Sequence, residues 1–293
     1  MLKSENYAYL LDKRLRKVYG DTLKEIPSQI PALFNIVSSS LAIEYDYNMG
    51  DAPAIGEFTG KIEYYDTYGQ YRTTYEHKEY AGGIQIGRKL IDDEQYSVIL
   101  KEPKKLAVSM RRRRESDASN VFNNAFATTT YGDGKVLCAS DHPSKSVSTT
   151  FSNLGTSALT AASVSATRLA HKKINSDTDQ IVNIDPDMII IPLDLEETLD
   201  IILKTDKKID SNNNNINFNQ GRYKAVVWRY LTSTADWFMV DSMLMKQYLN
   251  WFNKAPVEFE QDKDTDTMVR KYYTYARYCA GASEWRWIYG NNA

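Results

Sequence analysis

Only two cysteines, Cys138 and Cys279, and three histidines stand in 293 residues. Two thiols give no disulfide framework, and so few soft ligands give no zinc pattern, so both cysteines read as small buried hydrophobes. No stretch approaches the roughly 18 to 20 apolar residues that a membrane span needs. The opening MLKSENYAYLLDKRLRKVYG lacks a signal-peptide apolar block, so the chain is expected to stay in the cytosol where it is made. Charge of one sign is missing too. Thirty-six basic against thirty-eight acidic residues leave −2, which excludes the global basic field of a dedicated nucleic-acid binder and leaves room for local contact alone. A glycine-rich phosphate loop is absent, so a nucleotide site has no support. What remains is ordinary globular composition, 42% apolar and 25% charged, enough for one large domain or two medium ones with a real core.

Tyrosine is the residue in excess, with 21 copies. Phe58, Ile62 and Tyr64 alternate with Thr59, Lys61 and Glu63, and Tyr71, Thr73 and Tyr75 alternate with Arg72, Thr74 and Glu76. With Tyr68-Gly69 as the turn, this pattern predicts a hairpin over residues 58–80. Each aromatic side chain has about 150–250 Å² to hide, and a lone two-stranded hairpin is marginal in water, so the pattern implies a partner surface contacted by Phe58, Ile62, Tyr64, Tyr68, Tyr71 and Tyr75. Upstream, Tyr9, Leu10, Leu11, Leu15 and Val18 mark an amphipathic helix over residues 3–19. Residues 26–51, interrupted at Pro27, Pro31 and Met49-Gly50, read as an extended arm anchored by Leu33, Phe34, Ile36 and Val37. Beyond the hairpin, Gly82-Gly83 allows a bend, residues 84–90 return as a strand, and Asp92-Asp93 offers an N-cap pair.

A long helix follows. Pro103 fits only a first turn, so a short helical segment is expected before it and the main helix from Pro103 to about Phe126, roughly 36 Å at 1.5 Å per residue. Its middle is Arg111, Arg112, Arg113 and Arg114. Four consecutive positions sweep most of the helix circumference, so at least one arginine must face the body and is expected to find a carboxylate there. Two readings stay open for the run: a solvated or intersubunit ion-pair face, with Arg113 and Asp117 at i,i+4 spacing, or a contact with nucleic-acid phosphate. In DGKVLCASDHP, residues 133–143, Cys138 and His142 suggest a nucleophile and base. Leu137-Cys138-Ala139 instead continues an apolar strand, and His142-Pro143 reads as a turn shaped by Asp141.

From Thr156 the pattern becomes compact α/β. Thr160 can cap a helix carrying Val164, Leu169 and Ile174 and ending in the basic His171-Lys172-Lys173. PDMIIIPLDLEETLDIIL, residues 186–203, couples a buried strand to a helix with Leu195, Leu199, Ile202 and Leu203 inward. The asparagine run in residues 210–221 reads as an exposed loop. Residues 224–230 and 237–240 are expected to pair with each other, and residues 267–278 form a strand with tyrosine on both faces, suited to a half-wet contact.

Taken in order, these features resemble a family. An arm, a projecting hairpin and an acidic cap before a long helix are followed by FNNAF, DGKVLCASDHP, PDMIIIPLDLEETL, the asparagine loop, VVWRYLTSTADWFMV and SEWRWIYG. This succession is similar to tailed-bacteriophage major capsid proteins, in particular Mu-like major head subunits with the Hong Kong 97 fold, over nearly all of residues 50–293. The resemblance implies an α+β chain with an N-terminal arm (1–55), an extended E-loop hairpin (56–90), a peripheral domain (91–134) whose spine helix runs over 94–127, an axial α/β domain (135–262) and returning peripheral strands (263–293). It also implies hexamers and pentamers closing into an icosahedral shell around double-stranded DNA, with the E-loop lying on an adjacent subunit.

Such a chain would be a virion component assembled in the bacterial cytoplasm, with no enzymatic activity, cofactor, metal or membrane. Its further partners would be a portal protein, decoration proteins and, since only about fifty residues precede the hairpin, a separate scaffold protein. Some family members weld subunits through a lysine and an asparagine; Lys61 and Lys78 are hairpin lysines, but no partner asparagine or catalytic carboxylate accompanies them. Two rivals are a nanocompartment shell of the same fold enclosing enzyme cargo, and a cysteine hydrolase using Cys138 and His142.

Overall fold

Two long strands near the C-terminus, one of them alternating in burial, organise the molecule. The computed structural model describes residues 4–52, 54–58, 60–62, 64, 69–93, 95–128, 132–207, 215–264 and 267–293. Helix α1 (Ser4–Glu25) and a single turn α2 (Ile30–Leu33) lead into strands β1 (Asn35–Ser38), β2 (Ile43–Met49), β3 (Gly69–Glu76) and β4 (Lys78–Gly87). Short helices α3 (Arg88–Asp92) and α4 (Tyr96–Ile99) precede the long α5 (Lys101–Asn123). The chain continues through β5 (His142–Pro143), β6 (Thr150–Phe151), β7 (Leu154–Gly155), α6 (Ala161–Lys172), β8 (Met188–Ile191) and α7 (Glu196–Lys204). It closes with β9 (Lys224–Val227), β10 (Trp237–Val240), α8 (Ser242–Tyr248), β11 (Leu249–Asp264), β12 (Val269–Ala282) and β13 (Ile288–Asn291).

Two sheets carry the architecture. One runs β1-β11-β12-β4, antiparallel except for β1 beside β11; the other runs β7-β13-β10-β8-β9. In β12 the period of two places Tyr272, Thr274, Ala276 and Tyr278 inward and leaves Tyr273 half-exposed. Helix α5 covers this sheet with Leu106, Ala107, Met110, Ala118, Val121 and Phe122, spaced three and four apart as one helical face requires. Pro103 sits in its first turn, where its missing N–H costs nothing. Strands β8 and β10 are buried on both faces, which is why MIII and WFMV are unbroken apolar runs. Leu199, Ile202 and Leu203 of α7 and Val164 of α6 pack on one side of them, and Phe122, Trp228, Trp285 and Trp287 belong to the core on the other. Thr160 caps α6 in a reciprocal box with Ser163, as its position predicts.

Several local expectations fail for physical reasons. The partner of β3 is β2, in register Tyr45↔Thr74 and Tyr47↔Arg72, and no described residue between 54 and 64 is in a strand. Residues 43–47 alternate as well as 58–64 do, and alternation alone cannot choose between two candidate partners. The Tyr68 half of the expected turn lies outside the described residues. Gly82-Gly83 does not bend the chain: β4 runs through it against β12, and a Cβ on Gly83 would stand 3.1 Å from the Tyr272 carbonyl oxygen. Asp92 closes α3 by accepting from Arg88 at 3.2 Å, and Gln95 precedes α4, so Asp92-Asp93 is no N-cap. Strands β9 and β10 do not pair with each other; both flank β8. His142-Pro143 is a short strand against β6 rather than a turn, and Asp141 pairs with Lys135.

Of the asparagine loop, residues 210–214 lie outside the described residues, and 215–221 are only partly exposed. Ile216 and Phe218 face solvent, but Asn217 and Asn219 are buried. Asn217 Nδ2 donates to the carbonyls of Ile202 at 2.6 Å and Thr205 at 2.8 Å, satisfying acceptors that the end of α7 leaves open.

His171 also departs from expectation. It lies in the basic last turn of α6 but is buried, its Nε2 2.9 Å from the Arg286 carbonyl, while Leu169 is exposed. Burial pushes its pKa down from 6.5 to about 4, so the folded protein holds it neutral. Between those values the unfolded chain binds the extra proton. The stability His171 contributes is therefore whole above pH 6.5 and drains as pH falls toward 4, by up to about 3 kcal/mol. Urea midpoints measured at pH 7.5, 5.5 and 4.5 should fall, and a His171→Leu variant should show a visibly flatter dependence.

Candidate assembly surface

The hairpin of β2 and β3 stands at one end of the long sheet, and its two arms have opposite fates. Tyr75 turns into the chain, 97% buried, with its ring 5.1 Å from that of Phe252. Gly281 lies beneath that ring: a Cβ there would meet it at 2.8 Å, so only glycine fits. Tyr71 is half-buried and its hydroxyl donates to the Pro143 carbonyl at 3.3 Å. The connection between the arms does the opposite, leaving Ile55 93%, Phe58 72%, Ile62 62% and Tyr64 90% exposed. Tyr45 and Tyr47 on β2 add to this apolar surface. Of the six aromatic and aliphatic contact candidates, Phe58, Ile62 and Tyr64 face outward, Tyr71 and Tyr75 pack within the chain, and Tyr68 lies outside the described residues.

The arginine run is largely consumed inside the molecule. Arg111 donates to the Leu23 carbonyl at 2.5 Å, closing the C-terminal end of α1. Arg113 pairs with Asp117 at 2.8 Å, the expected i,i+4 contact, and lies 4.7 Å over the Tyr80 ring. Arg114 is the one that faces the body, but among the described residues it pairs with no carboxylate. Its guanidinium lies 5.2 Å from the Trp251 ring and 5.7 Å from that of Tyr278, and burial holds its pKa below the ordinary value. Aromatic faces present negative potential, which substitutes for a counter-ion here. Trp251, Tyr278 and Tyr80 stack at 4.6 and 4.8 Å, so the helix is riveted to three strands through one aromatic column. Arg112 alone of the four is exposed without a partner among the described residues.

Residues 137–139 and His142 make a buried structural knot. Cys138 is inaccessible, and burial pushes its thiol far above the ordinary range, so it supplies no thiolate. His142 is fully buried between Asp133 Oδ2 at 2.6 Å and Asn153 Oδ1 at 3.1 Å, with its ring stacked 4.2 Å from Trp285. The geometry therefore gives the hydrolase reading nothing to stand on: neither group reaches a substrate. Cys279 is half-buried, its thiol pushed up to about 12 by burial. Among the described residues no group of His, Cys, Asp and Glu could hold a metal ion, and no helix is long and apolar enough to cross a membrane.

Two buried polar hubs carry no sequence signal. Asn153 Oδ1 accepts from the Ala139 amide at 2.9 Å, while its Nδ2 donates to the carbonyls of Leu137, Trp285 and Ile288 at 2.9, 3.3 and 3.1 Å. Glu115 accepts from Ser28 Oγ at 2.5 Å and from Trp228 Nε1 at 3.2 Å, tying the N-terminal arm to the long helix and to the residue that follows β9. A lone Asn or Glu in a sequence gives no hint of such burial.

An exposed apolar segment at 55–64 thus stands on a riveted body. The family profile described as "phage capsid protein" matches residues 70–291. The chain belongs to the phage capsid protein family. Solved structures share the fold of this capsid protein. The bacteriophage JBD30 procapsid subunit superposes with a TM-score of 0.59 at 14% identity, over 100% of this chain and 76% of that one. The Microbacterium phage Oxtober96 chain gives 0.57 at 11% identity, over 88% and 86%. A virus-like particle from Pyrococcus furiosus gives 0.58 at 9% identity, over 95% and 98%. No curated protein matches it in sequence. The fold is of the Hong Kong 97 type, and the capsid protein is a structural component of the virion and a major shell protein. The nanocompartment rival shares the fold, but the family match lies with phage capsids.

Proposed function

We propose that this capsid protein is the repeating head subunit, copies of which close as hexamers and pentamers into an icosahedral shell around double-stranded DNA, assembled in the bacterial cytoplasm. One observation carries the reading: Ile55, Phe58, Ile62 and Tyr64 stand exposed on one segment, with nothing among the described residues to cover them. Burying each against a sister copy is worth about 1.5–3 kcal/mol before ordering costs, which suits a contact made by every subunit of a shell.

In this reading the β1-β11-β12-β4 sheet with α1 and α5 is the peripheral domain, and the β7-β13-β10-β8-β9 sheet with α6 and α7 is the axial domain. The boundary then falls at Leu249, where β11 begins, rather than at 262, and β13 returns to the axial sheet. The extended loop is β2, β3 and their connection. The subunit performs no chemistry and takes no cofactor; a portal, decoration proteins and a separate scaffold protein complete the set of expected partners. Expression of the chain with its neighbouring genes should yield closed particles by negative-stain microscopy and sedimentation, filled with DNA on packaging. Compact monomers alone would refute the shell, and particles loaded with an enzyme instead of nucleic acid would favour the nanocompartment.

A further inference from the structure

With three of four consecutive arginines turned to duties inside the chain, a phosphate-facing surface has to be sought elsewhere. Helices α1 and α5 lie in one layer on the same face of the four-stranded sheet. Leu11, Leu15 and Tyr19 share an apolar cluster with Leu106, Ala107, Phe259 and Tyr272, and Arg111 ties α5 to the end of α1. The sides turned away from the sheet are basic. Arg14, Lys17 and Lys24 on α1 and Lys101, Lys104 and Arg112 on α5 are all exposed, and none pairs with an acid among the described residues. Helix α1 holds five basic and four acidic residues and α5 seven and three, so the pair carries +5 in a chain whose total is −2. Asp12 and Glu115 among the acids are buried, but Arg111 and Arg114 are also turned inward, so the outward field rests on the six exposed cations that pair with no acid among the described residues.

We infer that the outward side of the α1–α5 layer is the surface that meets the phosphate backbone of the packaged duplex. The inference rests on the capsid reading and adds to it the face, and the residues, that look at the genome. Residues 14–24 and 101–112 each span about 15 Å along their helices, two rows roughly 8–10 Å apart. A duplex offers one charge about every 1.7 Å of its axis to such rows. Lysines on a convex helical layer reach phosphates but not base edges, which gives the sequence-independent contact that a packaged genome demands.

The test uses the full chain before assembly and a labelled 30-base-pair duplex of arbitrary sequence, titrated between about 50 and 200 mM salt, where phosphate contacts dominate affinity. Glutamine keeps helix propensity, so the combined variant Lys17→Gln, Lys101→Gln, Lys104→Gln and Arg112→Gln should retain wild-type circular dichroism. It should bind at least about tenfold more weakly at low salt, with the log–log salt slope shallower by roughly 3 to 4. Its shells should still close, and package less DNA. Unchanged duplex affinity and slope would overturn the inference. So would failure of the variant to close shells with duplex binding intact, which would assign the face to an acidic protein surface. If the wild-type chain formed no shell at all, the capsid reading would fall, while the titration would still report on the face.

Discussion

An Asn153→Ala variant is expected to yield little folded protein. The side chain is fully buried and answers the Ala139 amide and the carbonyls of Leu137, Trp285 and Ile288. Removing it strands four backbone groups and one side of His142 in the buried interior. A buried group left unpaired costs about 1–3 kcal/mol, so even partial relaxation leaves a loss of about 4 kcal/mol or more, a large share of a domain's total stability. The knot joins residues 137–139 to β7 and β13, so the loss should appear as unfolding of the five-stranded sheet, read by urea midpoint and tryptophan emission from Trp285 and Trp287. A midpoint within about 1 kcal/mol of wild type would show that the hub is not needed.

The second large effect should leave stability alone. In the variant Phe58→Ser, Ile62→Ser and Tyr64→Ser, three side chains that are 72%, 62% and 90% exposed lose their apolar surface. Since they bury little in the isolated chain, its urea midpoint should stay within about 0.5 kcal/mol. Assembly should not survive. Three large side chains contribute on the order of 5–9 kcal/mol of burial per copy, repeated across every subunit contact. The expected result is a folded chain that sediments as monomers or small oligomers where wild type forms particles. Wild-type yields of closed shells would show that this segment is not the intersubunit contact. The two variants separate two questions: what holds the chain's own body together, and whether another copy completes the outward segment.

Periodicity made much of this architecture legible. Leu106, Met110, Val121 and Phe122 at helical spacing, with Pro103 in the first turn, mark the long helix; Thr160 marks the start of α6; MIII and WFMV mark strands buried on both faces. The outward apolar side chains at 58–64 were legible too, because Phe58, Ile62 and Tyr64 stay exposed whether or not they form a strand. Pairing was not legible. Residues 43–47 and 58–64 alternate equally well, and β3 took the first as partner because a period of two says which side chains share a face, never which strand lies alongside.

The linear chain by itself thus determined most of the longer helices and strands, many of their buried faces and which apolar side chains of 58–64 stay outside, since these follow from local spacing and from the chemistry of each side chain. Tertiary structure alone decided where isolated polar residues go. Arg114 lies on Trp251 and Tyr278, Glu115 meets Ser28 and Trp228, and Asn153 bonds residues 132 and 135 positions away. The reason is physical: a buried polar group is tolerable only where distant segments converge to satisfy it, and that convergence exists only once the chain has folded.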